Sequence, residues 1–294
     1  MQLRSKLQAP RQSEITVSIQ TKADLDNLVR SLFDAESVGI AVADSSPAGS
    51  GQQECFTELE MTRGIAFSTK AGLSSYVDLE KFSGGVQTAI ESLREVLANG
   101  LVEKSVHDLK RATGLLARFD ITLEGVKDDT FLAAYLLDPN RSKYELTDLA
   151  REAIGFEDGS APPSNWQASA WETATAADLT SQTAKVLHSR ILDKKLETIY
   201  SEVELPLAPL LYRMEKAGLK VDPRVLADLS SFIGQELHKL TVKVYQLAGR
   251  EFNIGSPKQV GEVLGELNIN SNPKDFDWSS FNQQSCTGGV GAIV

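Results

Sequence analysis

The chain has 294 residues, 41% of them hydrophobic and 24% charged, with a formal net charge of -10. That length accommodates two domains and suits a globular chain, while the acidity excludes strong sequence-independent attraction to phosphate backbones unless local basic or N–H-rich spots supply it. No run of roughly eighteen apolar residues occurs, so no membrane span is expected, and the N-terminus has no apolar signal-peptide core. Cys55 and Cys286 lie too far apart to make a metal or disulfide framework, which points to a reducing cytoplasm.

Residues 1–14 read as a tail and 15–20 as a short strand. Thr21 with Asp24 resembles a capping box, and Leu25, Leu28, Val29, Leu32 and Phe33 follow at helical spacing. Residues 37–44 form an apolar run of strand length, suited to a buried central strand. A loop follows. Residues 61–68 and 73–78 read as two strands around Lys70, Ala71 and Gly72, a hairpin signal. A helix is expected over 86–98, a short strand over 104–108, and a helix around Leu115 and Leu116. Residues 128–138 and 144–155 read as two more helices. After a loop containing Trp166, a long helix is expected from about 174 to 198. This mixture predicts an α/β domain.

Beyond residue 200 the chain is strongly punctuated helix. Leu205, Leu207, Leu210, Leu211 and Met214 make an apolar face that Gly218 terminates. Asp222 followed by Pro223 is a helix start, and Ser256 followed by Pro257 repeats it. Between them Leu226, Leu229, Ile233, Leu237, Leu240, Val244 and Leu247 form a coiled-coil-like seam that Gly249 ends. Such a helix is stable mainly through packing, so it needs a partner.

The segments "ELPLAPLLYRMEKAGLKVD" and "LAGREFNIGSPKQVGEVL" closely resemble the start of the polymerase domain, the base of the thumb, in the bacterial DNA polymerase I family. The stretch "LLARFDITLEGVKDDTFLAAYLLDPNRSKYELTDLAREAIG" is similar to the 3′–5′ exonuclease domain that precedes the thumb there. The resemblance implies a ribonuclease H-like exonuclease fold, a mixed sheet with helices, over 15–200. A thumb-like, all-α segment follows over 201–269, then an irregular tail over 270–294. It implies a fragment of a DNA-directed DNA polymerase acting in replication and repair. No palm or fingers motif follows, and the departure near Asp275 suggests a truncated or frame-shifted product, or a genuine short tail.

Exonucleases of this kind clamp a phosphodiester with two metal ions, Mg²⁺ in the family, held by converging carboxylates. The family's strand Asp-x-Glu falls on Val42, Ala43 and Asp44. Its Asn-Leu-Lys-x-Asp falls on residues 108–112, so that Ala112 replaces an acid. Its Tyr-x3-Asp falls on Glu172 and Ala176. Asp178 survives two residues on, but is rotated by about 200° around the helix, off the metal face. The expected consequence is an inactive exonuclease-like domain without catalytic residues, bound metal or cofactor. Asp44, Asp108 and Asp178 are expected to be solvated or capping acids, and Asp129 with Thr130 to make structural hydrogen bonds. His107, His188 and His238 read as isolated, and Trp166 and Trp171 as packing residues beside a loop.

The best DNA-facing candidate is the helix start at Asn253, Ser256, Lys258 and Gln259, where free N–H groups and a positive dipole end suit phosphate. Weak DNA binding and self-association through the Leu226–Leu247 seam are the expected partnerships. The competing readings are an active 3′–5′ exonuclease with an altered metal site and a non-enzymatic DNA-associated adaptor.

Overall fold

The computed structural model describes residues 15–43, 62–157, 162–164 and 166–267. The two cysteines, Asp44 and both expected tails lie outside them. The chain divides into two compact units, Met1–Gly218 and Leu219–Val294.

The first unit is built on a six-stranded mixed sheet in the order β1-β4-β3-β2-β5-β6. The strands are β1 (Ile15–Ile19), β2 (Val38–Ala43), β3 (Gly64–Lys70), β4 (Leu73–Asp78), β5 (Lys104–Val106) and β6 (Val126–Asp129). β2, β3 and β4 run antiparallel in sequence, while β1 joins β4, and β5 joins β2 and β6, in parallel. The helices are α1 (Lys22–Phe33), α2 (Gly85–Leu97), α3 (Leu109–Ala117), α4 (Thr130–Leu137), α5 (Leu146–Ile154) and α6 (Ala168–Asp193). Thr21 caps α1 as the sequence predicts, its hydroxyl accepting from the Asp24 N–H at 3.3 Å.

Alternation along the strands sends residues to two different cores. Ile40, Ile65, Phe67 and Val77 join Leu25 and Leu32 of α1 and Ile90 and Leu93 of α2. Ala43, Ala66 and Tyr76 instead meet Ala170, Ala174 and Ala177 of α6. The second core is made largely of alanine because α6 lies close to the sheet. A Cβ on Gly39 would meet the Ala177 carbonyl oxygen and sit 2.7 Å from Ser181 Cβ. Small residues at this contact let β2 and α6 approach, and that approach sets the geometry of the cleft described below.

Three sequence expectations need correction. Residues 126–129 are strand β6, and the helix expected from 128 begins at Thr130 with Asp129 as its cap. Parallel pairing with β5, which local pattern does not reveal, holds Asp128 and Asp129 extended. The long helix α6 begins at Ala168 rather than near 174 and ends at Asp193. Third, the buried positions of α8 (Leu205–Ala217) are Leu205 and Ala208, whereas Leu207, Leu210, Leu211 and Met214 stay exposed. A short α7 (Glu197–Ile199) leads through a π-helical turn (Tyr200–Glu204) into α8. α8 then packs against α3 within the first unit, with Lys110 Nζ 2.7 Å from Glu215 Oε1.

The second unit contains α9 (Pro223–Ala248) and α10 (Pro257–Glu266). Asp222 caps α9 through the Arg224 N–H, and Gly249 closes it in the left-handed conformation at φ 69°, as the sequence predicts. Arg250 joins Glu266 at 2.9 Å, and Tyr245 meets Phe252 edge to face. No residue of α9 is buried, including its whole leucine-rich seam. Among the described residues no helix is long and apolar enough to cross a membrane.

Candidate active-site cleft

The strand β5 is only three residues long and pairs with β2 only at Val38 and Gly39. From Ile40 onward β2 lacks that neighbour, and a cavity of about 900 Å³ opens there. Val42 from β2, Ala112 from α3, and Glu172 and Ala176 from α6 all line it. Residues up to 134 positions apart in sequence (42 to 176) thus meet around one space. These are the positions at which the carboxylates or tyrosine of a two-metal exonuclease were expected. The sequence identifies them one by one; the fold brings them together.

Three nearby aspartates are committed elsewhere. Asp178 is only 2% exposed, so the expectation of a solvated or capping acid is overturned for it. Its carboxylate accepts from the Gly72 N–H at 2.9 Å, the Ser68 hydroxyl at 3.3 Å and Gln182 Nε2 at 3.1 Å, fastening α6 to the β3–β4 hairpin. Asp108 caps α3 through the Arg111 N–H at 3.0 Å, from a left-handed backbone conformation that aspartate tolerates. Asp129 is buried and accepts from the N–H groups of Asp108, Leu109 and Phe131 at 2.7 to 3.0 Å. Its role is structural, as the sequence suggested. Burial outweighs these hydrogen bonds and pushes its pKa up to about 6.

His107 borders the cavity and is otherwise enclosed. Desolvation lowers its pKa to about 4, so the ring is neutral near pH 7. Its Nδ1 lies 2.8 Å from Thr130 Oγ1, and the ring meets Phe131 edge to face. It is therefore not isolated. Neither is His188, whose Nδ1 is 2.8 Å from Asp128 Oδ1 and whose Nε2 is 4.0 Å from Glu197. Sixty residues separate His188 from Asp128, and no local spacing signals the pair. Trp171 lines the cleft and Trp166 packs on it edge to face at 5.9 Å, the packing role expected of both.

Glu172 is the one carboxylate among the four described positions, and Asp44 lies outside the described residues. Among the described residues no group of three or more His, Cys, Asp or Glu side chains is arranged to hold a metal ion. A pair of divalent cations needs several oxygens converging on one point. Val42, Ala112 and Ala176 offer none, so the described residues do not fit that group.

The family model for the ribonuclease H-like domain of DNA polymerase I matches residues 65–156. DNA polymerase I of Rhizobium leguminosarum is 30% identical over 269 residues, covering 85% of this chain and 26% of that protein. Over most of its length the chain is thus similar to part of DNA polymerase I. The corresponding protein of Pseudomonas aeruginosa is 27% identical over 287 residues, covering 89% of this chain and 31% of its own length. The chain thus spans about a quarter to a third of the length of these DNA polymerase I relatives. A solved structure, the POL domain of Pol1 from M. smegmatis in complex with DNA primer-template and dNTP, superimposes with a TM-score of 0.65. It is 24% identical and covers 85% of this chain and 40% of that one, a likeness of fold. Both the exonuclease-like and the thumb-like stretches read from the sequence fall within the DNA polymerase I likeness.

The second candidate, at the start of α10, is more occupied than its sequence suggested. Ser256 holds the N-cap position but its side chain makes no capping hydrogen bond. Instead Asn253 Oδ1 accepts from the Gly255 N–H at 2.9 Å, and the Asn253 N–H donates to Gln259 Oε1 at 2.8 Å. Asn253 and Gln259 thus brace the turn, while Lys258 is exposed.

Proposed function

We propose that residues 15–200 form a non-hydrolytic exonuclease-like domain serving as a structural platform in a DNA polymerase I-type protein of replication and repair. Residues 201–269 are the base of its thumb. The observation that carries this reading is the convergence of Val42, Ala112 and Ala176, three side chains without oxygen, on one cleft. With Glu172 as the one carboxylate at those positions, nothing among the described residues orients two cations on a scissile phosphate, and the domain works without a metal cofactor. Contact with DNA is weak and comes from exposed basic residues such as Lys258 beside the α10 N-terminus, working against a net charge of -10. The exposed seam of α9 gives a tendency to self-associate, and the protein resides in the cytoplasm.

The deciding experiment incubates the purified chain with an end-labelled single-stranded oligonucleotide and Mg²⁺ or Mn²⁺. No shortening beyond that of a mock purification is expected. Metal-dependent 3′–5′ shortening that co-purifies with the chain would overturn the reading and favour an altered but active metal site.

A further inference from the structure

The cleft lined by Val42, Ala112 and Ala176 has the size of a small-molecule site and the wrong charge for a phosphate. Its volume of about 900 Å³ falls within the range of ligand pockets, roughly 300–1,000 Å³. Ile40, Ala112, Leu115 and Leu179 give it a buried apolar floor, to which Trp171 and Phe156 add half-buried rings. Its exposed lining includes Glu145, Glu157 and Glu172, and none of the three is joined to a cation among the described residues. Arg111 is the one cation among the described lining residues near pH 7, and it already has a partner. His107 is neutral there. An anion entering the cleft therefore meets carboxylates, whereas a cation is drawn in.

An acidic rim by itself selects no ligand. The second observation lies on α6. Thr175 and Thr180 both line the cavity, and the hydroxyl of each is buried without a hydrogen-bond partner. Thr180 is 0% exposed. Glu172, Thr175, Ala176 and Thr180 recur at helical spacing and so share one face of the helix. A buried hydroxyl left unpaired costs free energy, which a ligand that pairs with it recovers. At about 1.5 Å of rise per residue, Thr180 lies about 12 Å along the axis from Glu172. The same face thus offers a carboxylate at the rim, an apolar stretch beside Ala176, and an unpaired hydroxyl at the floor.

We propose that this cleft binds an organic cation, with its ammonium group at Glu172, its apolar ring system on the floor beside Trp171, and one hydrogen-bonding group facing Thr180. An ammonium near Trp171 also gains from the negative face of the indole. The ligand class differs from the phosphodiester chemistry considered above, and the proposal stands whether or not the chain cleaves DNA.

The test uses the full chain and three probes that share an indole ring: tryptamine, a cation; tryptophol, which is neutral; and indole-3-propionate, an anion. Calorimetric titrations contain neither metal nor DNA, so their outcome is separate from that of the nuclease assay. Tryptamine is expected to bind with a Kd on the order of 100 μM, as suits a molecule of its size. Tryptophol should bind roughly fivefold more weakly, the upper range for one exposed ion pair, and indole-3-propionate more weakly still. Glu172→Gln should remove most of the preference for tryptamine while leaving tryptophol unchanged. Ala176→Phe, which fills the cleft, should abolish binding of tryptamine and tryptophol alike. Glu172 is exposed, so Glu172→Gln tests the site even where Ala176→Phe does not fold. Equal affinity for the three probes, a preference for the anion, or no binding of tryptamine at millimolar concentration overturns the proposal. So does tryptamine binding that Glu172→Gln leaves unchanged.

Discussion

Asp129 and Tyr200 exchange two buried hydrogen bonds across 71 residues of sequence. The Asp129 N–H donates to the Tyr200 hydroxyl at 2.7 Å, and that hydroxyl donates to the Asp129 carbonyl at 3.2 Å. Tyr200 is fully buried in the turn that follows α7, so this pair ties the chain leading into α8 to the end of β6. Tyr200→Phe keeps the ring but strands a buried N–H. The expected loss is about 1–3 kcal/mol of stability, measured as a lower urea midpoint with unchanged slope.

Asp129 and His107 pull the pH dependence of stability in opposite directions. Asp129 has its pKa raised from 3.8 to about 6, so its contribution is fully present below 3.8 and is lost as pH rises through about 6. His107 has its pKa lowered from 6.5 to about 4, so its contribution is fully present above 6.5 and is lost as pH falls through about 4. Between pH 4 and 6 the two slopes largely cancel. His107→Gln should therefore show its greatest deficit against the parent above pH 6.5, shrinking as the pH falls toward 4. Moving a pKa by one pH unit corresponds to about 1.4 kcal/mol, so the difference can reach about 3 kcal/mol. Urea melts at several pH values check it; a deficit that stays constant from pH 4 to 7 contradicts it.

The β2–α6 contact should tolerate no added atom at Gly39. The obstacle is the backbone carbonyl of Ala177 with Ser181 beside it, neither of which is a flexible side-chain end. Gly39→Ala is expected to cost at least the upper part of the roughly 1–3 kcal/mol range for overpacking. The same change at Gly234, where a Cβ meets nothing within 4 Å, should be stabilising by up to about 1 kcal/mol through helix propensity. Thermal melts of the two variants, read side by side, test the contrast.

Restoring oxygen ligands should restore metal binding before it restores activity. A chain with Val42→Asp, Ala112→Asp and Ala176→Asp gathers uncompensated carboxylates in one cleft. Its melting temperature without metal should fall below that of the parent. Mn²⁺ should then raise it again, because a ligand bound only by the folded state stabilises that state. The parent chain should show no such rise, and an equal rise in the parent would mean that it already holds the ion.

Duplex DNA binding should be weak and steeply salt-dependent. Removing one phosphate contact with Lys258→Ala should lower the slope of log affinity against log salt by about 0.9. Fluorescence anisotropy across a salt series reads both quantities. Submicromolar affinity that survives physiological salt would point to a binding surface outside the α10 start.

Local signals determined much of this protein. The Thr21 cap of α1, the β3–β4 hairpin, the Asp222–Pro223 start and the Gly249 stop are each encoded within a few residues. Their physics is local: a missing N–H, a side-chain oxygen within reach of an N–H, a positive φ. The proposed replacement of acids by Val42, Ala112 and Ala176 rests on residue identity, which needs no coordinates. Only tertiary structure decided what those replacements do together, because the cleft arises where β5 stops short of β2 and α6 closes on an alanine face. It decided that residues 126–129 are strand, since a parallel ladder depends on a partner 22 residues upstream (Lys104 for Val126). It turned Asp178 inward to the hairpin, and buried Leu205 and Ala208 of α8 in place of the more apolar face. Burial is set by which surface a neighbouring element presents, and spacing along one helix carries no record of that.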